Sequence, residues 1–186
     1  YPAIFEDPLK GEEATKLFND AQAMLKRIIN EKMLTTKATY GIYPAHAVGD
    51  SVEIFADEEK TQKLQTYHFL RNQEKKEAGV PNLCLADFIA PAGSGVKDYM
   101  GFFVVTSGIG VEKWCAIFEA DNDDYSSIMF KILTDRLAEA FAELLHDKVR
   151  REYWGYAPEE KYTLAQMLKE EYQGIRPAPG YPACPS

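Results

Sequence analysis

Cysteine and histidine are scarce in this chain, with three of each in 186 residues. Cys84, Cys115 and Cys184 are far apart, odd in number and form no C-x-x-C pair. That pattern speaks against a disulfide framework and fits free thiols in a reducing compartment, with Cys84 and Cys115 read as buried and neutral. Basic charge is short too. The net charge of −8 works against nonspecific binding to nucleic acid or to anionic membranes. No apolar run approaches the ~20 residues that span a bilayer. The N-terminal stretch "YPAIFEDPLKGEEA" has neither a basic segment nor an apolar one and is no signal peptide, so the chain reads as cytoplasmic. "GSG" at 93–95 and "GIG" at 108–110 are too short for a phosphate loop or a dinucleotide fingerprint. G-x-S-x-G is absent, and His46 and His68 read as structural or surface residues.

What is plentiful is apolar and aromatic. The chain is 46% apolar, with eleven Tyr and ten Phe, which is a composition that builds a core rather than a disordered tract. Its length suits one domain, 1–186. Apolar residues at Ala14, Leu17, Phe18, Ala21, Leu25, Ile28 and Ile29 recur at three and four and predict a helix over Gly11–Met33. Strands are predicted near Ala38–Tyr43, stopped by Pro44, at "SVEIFA", at "KLQTYHFLR" and at Met100–Thr106, with a short polar helix at Gln73–Glu77. The strongest signal is a long helix near 123–154. Asp123 or Asp124 caps it, Leu133, Leu137, Ala140, Phe141, Leu144 and Leu145 form its apolar stripe, and Lys148, Arg150 and Arg151 complement its dipole. A last helix, Thr163–Tyr172, stops at Gly174. Strands and helices mix without βαβ alternation. The fold class is therefore α+β, a twisted antiparallel sheet with flanking helices.

Two constellations carry possible chemistry. Asp135, Glu139 and Glu143 share one face of the long helix, and Glu143 with His146 makes a Glu-x-x-His spacing. A di-iron site would need a second such motif, and none exists, so a solvated acidic face is the preferred reading and metal is not assigned. The second constellation is the terminal stretch "GIRPAPGYPACPS". Pro177, Pro179, Pro182 and Pro185 fix φ and hold the residues before them extended, while Gly180 alone turns easily. The stretch is thus a stiff ribbon whose free donors are the N–H groups of Ala178, Gly180 and Tyr181. A ligand that uses such an edge loses little entropy in ordering it. Arg176 at its mouth offers a planar fork for a carboxylate or phosphate. The alternative is a polyproline linker.

The ribbon "GIRPAPGYPACP", together with "CLADFIAP", "DDYSSIM", "DRLAEAFAELLH" and "YWGYAPEE" in the same order, resembles the activation domain of cobalamin-dependent methionine synthase over essentially the whole chain. The resemblance implies a module that binds S-adenosylmethionine and presents its methyl group to reduced cobalamin, in the reactivation of cob(II)alamin to methylcobalamin. The cobalamin is bound by a neighbouring domain. The implied partners are that domain and flavodoxin or a flavoprotein reductase. Arg176 matches the residue that holds the ligand carboxylate. Ala178, Gly180 and Tyr181 match the ribbon that meets the adenosyl portion, and Glu139 and Glu170 match the carboxylates near the sulfonium. Nearby carboxylates stabilise a fixed cation without taking a proton, so neither glutamate is a general base. Against the family pattern, an upstream aspartate-bearing segment and a further downstream tyrosine are missing. The sequence thus reads as a fragment of the activation domain, inactive alone as an enzyme. An alternative is a protein-interaction module that uses the ribbon and the basic run Lys148–Arg151 to dock an acidic redox partner and the cobalamin domain, without ligand binding of its own.

Overall fold

The computed structural model describes residues 2–178. Its elements run α1 (Gly11–Asn30), β1 (Thr35–Val48), β2 (Ser51–Phe55), β3 (Lys63–His68), β4 (Asp98–Ile109), α2 (Val111–Ala120), α3 (Asp124–Lys148) and α4 (Leu164–Met167), with 3₁₀ turns at Pro2–Glu6 and Leu85–Phe88. The strands form one sheet in the order β3-β2-β1-β4. The class is α+β with an antiparallel sheet, as the pattern predicts. The chain divides into two compact units, residues 1–39 with 104–148 and residues 40–103 with 149–186.

The first unit is helical. Its core joins Met24 and Ile28 of α1 and Met33 to Cys115 and Phe118 of α2 and Met129 and Phe130 of α3. Phe130 is fully buried and meets Phe118 edge-on at 5.8 Å between centroids. Sequence reading passed over α2. It begins at Gly110, where φ is +110° and an added Cβ would sit 2.6 Å from the Met33 carbonyl oxygen. Only glycine lets the backbone approach that closely. Asp123 caps α3, its Oδ1 accepting from the Ser126 N–H at 3.0 Å. That backbone hydrogen bond, first among several influences, holds the carboxyl below its usual range.

The apolar stripes differ in detail from their predictions. On α1 Leu17 and Ile29 are exposed, and Met24 is buried beside Ile28. On α3 the buried line takes in Ser127, Thr134 and His146, while Leu144 is half exposed. Polar residues can enter that line because they bond locally. The Thr134 hydroxyl donates to the Phe130 carbonyl at 2.8 Å, and the Ser127 hydroxyl meets Glu119 at 3.1 Å.

The second unit holds most of the sheet. β1 and β2 pair antiparallel from Ala45↔Ile54 to Val48↔Ser51, and β2 pairs antiparallel with β3. The core is Ala45, Ala47, Val52, Ile54, Cys84 and Ala86, packed by Tyr67, Phe69, Ile89, Met100 and Phe102. Pro44 does not stop β1, because it stands one residue outside the β1–β2 register, where its missing N–H costs that ladder nothing. The predicted helix at Gln73–Glu77 is absent. Asn72 Oδ1 accepts from the Glu74 N–H at 2.7 Å, an Asx turn that takes the donor a helix start would need. Five polar residues also fall short of a helix nucleus. Cys84 and Cys115 are buried and free, and Cys184 lies outside the described residues.

Arg71 latches the loop after β3. Its Nη1 donates to Asp87 Oδ2 at 2.7 Å and to the Asn82 carbonyl at 2.7 Å, and its Nη2 donates to Asp50 Oδ1 at 2.6 Å. Asp87 also accepts from the Cys84 N–H at 2.8 Å, which fixes the 3₁₀ turn. The Arg71 hydrogen bond, then that of Cys84, lowers the Asp87 carboxyl from 3.8 to about 2. A depressed carboxyl contributes stability above its unfolded pKa and loses it as pH falls through the folded one. Acid titration followed by circular dichroism should therefore show a loss between about pH 4 and pH 2 that Asp87→Asn removes.

Candidate functional site

The terminal ribbon is built from the end of α3 onward. After Lys148 the helix widens into a π turn, Val149–Tyr153. Such turns insert a residue and re-aim the side chains around it. Here the turn sends Arg150 inward, where it is 1% exposed. Its Nε donates to Glu160 Oε2 at 2.8 Å, and Glu160 is itself 7% exposed at its side chain. The guanidinium also lies over the Tyr172 ring at 4.1 Å, a cation–π contact removed from water. One buried cation thereby joins three places in the second unit: the π turn, the "APEE" loop and the residue two before Gly174.

Trp154 and Tyr156 follow the turn. They meet edge-on at 5.2 Å, and Trp154 meets Tyr99 of β4 edge-on at 5.8 Å. The Tyr99 hydroxyl donates to Glu58 Oε2 at 2.8 Å, which raises its phenol pKa. α4 is capped by Thr163, whose hydroxyl accepts from the Gln166 N–H at 3.3 Å while Gln166 Oε1 accepts from the Thr163 N–H at 3.0 Å. The helix is shorter than its pattern predicts. It ends at Met167, and Glu170 sits at φ +56°. Gly174 turns the chain at φ +94°, but α4 has already closed at Leu168, so it is not the C′ glycine of that helix that the pattern predicts.

Beyond Gly174 the chain to Ala178 has no secondary structure. It flanks a cleft of about 510 Å³ inside the second unit. Leu85, Phe88 and Ile89 form one wall, Lys97–Gly101 of β4 and its approach another, Trp154 and Tyr156 a third, and Gln173, Gly174, Ile175 and Pro177 the rim. Arg176 stands between two lining residues and is not itself part of the lining. Ile175 and Pro177 border the cleft yet stay exposed, while Arg176 between them is half-buried.

The residues singled out from sequence fall as follows. Arg176 is half-buried, Ala178 and Glu170 are exposed, and all three belong to the second unit. Glu139 belongs to the first, exposed on α3 and paired with Arg136 at 2.6 Å. Gly180 and Tyr181 lie outside the described residues. Among the described residues no three His, Cys, Asp or Glu side chains cluster as a metal site. His46 bonds to Glu53 at 3.0 Å and His68 to Ser51 at 2.8 Å. The basic run Lys148–Arg151 is not one surface patch, because its Arg150 is the buried cation. Sequence reasoning missed Arg150, Glu160, Tyr172, Trp154 and Tyr156. The available signal was the aromatic cluster of "YWGYAPEE", since two aromatics and a tyrosine around one glycine seldom mark a plain helix stop.

Comparison with known proteins adds to this geometry. The family model described as vitamin B12 dependent methionine synthase, activation domain, matches residues 1–186. A solved structure described as the crystal structure of the MetH reactivation domain bound to AdoHcy is similar at 52% sequence identity and a TM-score of 0.90. The match covers 100% of this chain and 57% of that one.

The buried pair makes a stability prediction. Arg150→Met or Glu160→Leu alone strands a buried charge and should cost roughly 3–5 kcal/mol. The double substitution should recover most of that loss, and urea unfolding of the four proteins reads the difference.

Proposed function

Because the chain belongs to the activation-domain family of vitamin B12-dependent methionine synthases, we propose that it binds S-adenosylmethionine along the Arg176 side of the ribbon and presents the methyl group to cobalamin for reductive reactivation. The carrying observation is a half-buried guanidinium, Arg176, in a proline-bounded segment that borders an apolar cleft through Ile175 and Pro177. Those features suit an amino-acid carboxylate joined to a planar nucleoside. Arg176 holds the carboxylate through charge-assisted hydrogen bonds. Ala178, with Gly180 and Tyr181 beyond the described residues, supplies main-chain groups to the adenosyl portion. The relative named above is described with AdoHcy, the product this transfer would leave.

Glu139 and Glu170 act by charge. A sulfonium cannot lose its positive charge by losing a proton, so a carboxylate near it stabilises it without acid–base chemistry. The chain's task is positioning and electrostatics. Reduced cobalamin, held by a neighbouring domain, supplies the cobalt-centred nucleophile. The electron that reduces it comes from flavodoxin or a flavoprotein reductase docked on the longer protein, in the cytoplasm. Among the described residues no helix is long and apolar enough to cross a membrane.

Titration calorimetry on the full-length protein tests the reading. Arg176→Ala should weaken S-adenosylmethionine about 10- to 100-fold, the worth of a hydrogen-bonded charge. Unchanged affinity would remove Arg176 from the site. Glu170→Gln should weaken S-adenosylmethionine more than S-adenosylhomocysteine, which lacks the sulfonium charge. Equal losses would refute the electrostatic role.

A further inference from the structure

The ribbon leaves the body of the second unit through an elbow at Gln173–Gly174, and one side chain outside the ribbon occupies that elbow. The Tyr156 hydroxyl donates to the Gln173 carbonyl at 3.2 Å. An ideal Cβ on Gly174 would stand 2.6 Å from the same hydroxyl oxygen but 3.5 Å from the ring carbon that bears it. The phenol therefore fills the space a side chain at 174 would need, and does so with its oxygen alone. The ring is braced in turn, edge-on to Trp154, which is edge-on to Tyr99. Burial raises the Tyr156 phenol above its ordinary pKa, with the charge of Arg150 pulling the other way, so the hydroxyl keeps its proton at neutral pH and acts as a donor.

We infer that Tyr156 is a positioning residue for the ligand ribbon: its hydroxyl sets the direction in which Ile175–Ala178 leave the elbow, and with it where the Arg176 guanidinium is presented. The inference rests on the ligand reading above. It adds a residue that touches no ligand and acts through the main chain of Gln173 and Gly174. It also explains Gly174 twice over. The positive φ favours glycine, and the hydroxyl independently excludes a β-carbon.

A double-mutant cycle in the full-length protein separates this role from general support of the fold. Tyr156→Phe keeps the ring against Trp154 and removes only the hydroxyl. It should weaken S-adenosylmethionine and S-adenosylhomocysteine by the same factor, about five-fold for one hydrogen bond. Gly174→Ala should be more damaging in the wild-type background than with Phe at 156, because removing the oxygen leaves the 3.5 Å contact, which is ordinary packing. The relief is partial, since the φ strain at 174 remains. The Gln173 carbonyl ¹³C and Gly174 ¹⁵N chemical shifts of the unliganded protein read the elbow directly and should move in Tyr156→Phe, which removes the bond to that carbonyl. Wild-type affinity with wild-type shifts in that variant overturns the inference, as do losses that simply multiply across the cycle. A wild-type protein that binds neither ligand would instead overturn the proposed function, and the shifts would still decide the role of Tyr156.

Discussion

The second unit depends on one buried ion pair. Arg150 and Glu160 lie out of water, and the guanidinium also carries the Tyr172 ring. Desolvating two charges is expensive, and hydrophobic replacements can match such a pair in stability. What apolar replacements do not reproduce is direction. A guanidinium bonds in its plane and stacks through its faces, so it can hold a carboxylate and a tyrosine ring in one arrangement. Here that arrangement ties the π turn to the loop after it and to the approach of the ribbon. The π turn makes this possible by turning Arg150 inward from a helix end where a basic residue would ordinarily meet solvent.

From that anchor the site follows in short steps. Tyr172 is held, Gly174 reverses the chain, and Tyr156 closes the elbow between them. Proline then removes most of the remaining freedom at Arg176 and Ala178. Under the proposed function, a segment restricted in this way would meet a ligand with little further ordering, and methyl transfer from a sulfonium would ask chiefly for a donor held still and negative charge near its sulfur.

Much of the fold was legible because it is written in short-range chemistry. The Asp123 cap, the helix start at Thr163 and the strand pair across "DEEKTQ" depend on residues within a few positions of one another, whereas the helix from Thr163 closes at Leu168, short of Gly174. Failures came where a local signal was overruled. Pro44 passes through β1 because the register leaves its position outside the β2 ladder. Gln73–Glu77 lost its helix to an Asx turn and the Arg71 latch nearby. On α3, Thr134 and Ser127 are buried because their hydroxyls find partners within reach, which hydrophobic periodicity does not register.

The chain by itself determined its class and its long helix, since periodicity and caps act over one or two turns of backbone. Only the tertiary structure decided that Arg150 is a core residue and not part of a surface patch, and that Tyr156 stands in the elbow of Gly174. These are contacts between residues 10 to 22 positions apart or more, made across a buried guanidinium and a ring edge. Sequence spacing does not encode them, because burial of a charge depends on which groups the fold brings to meet it.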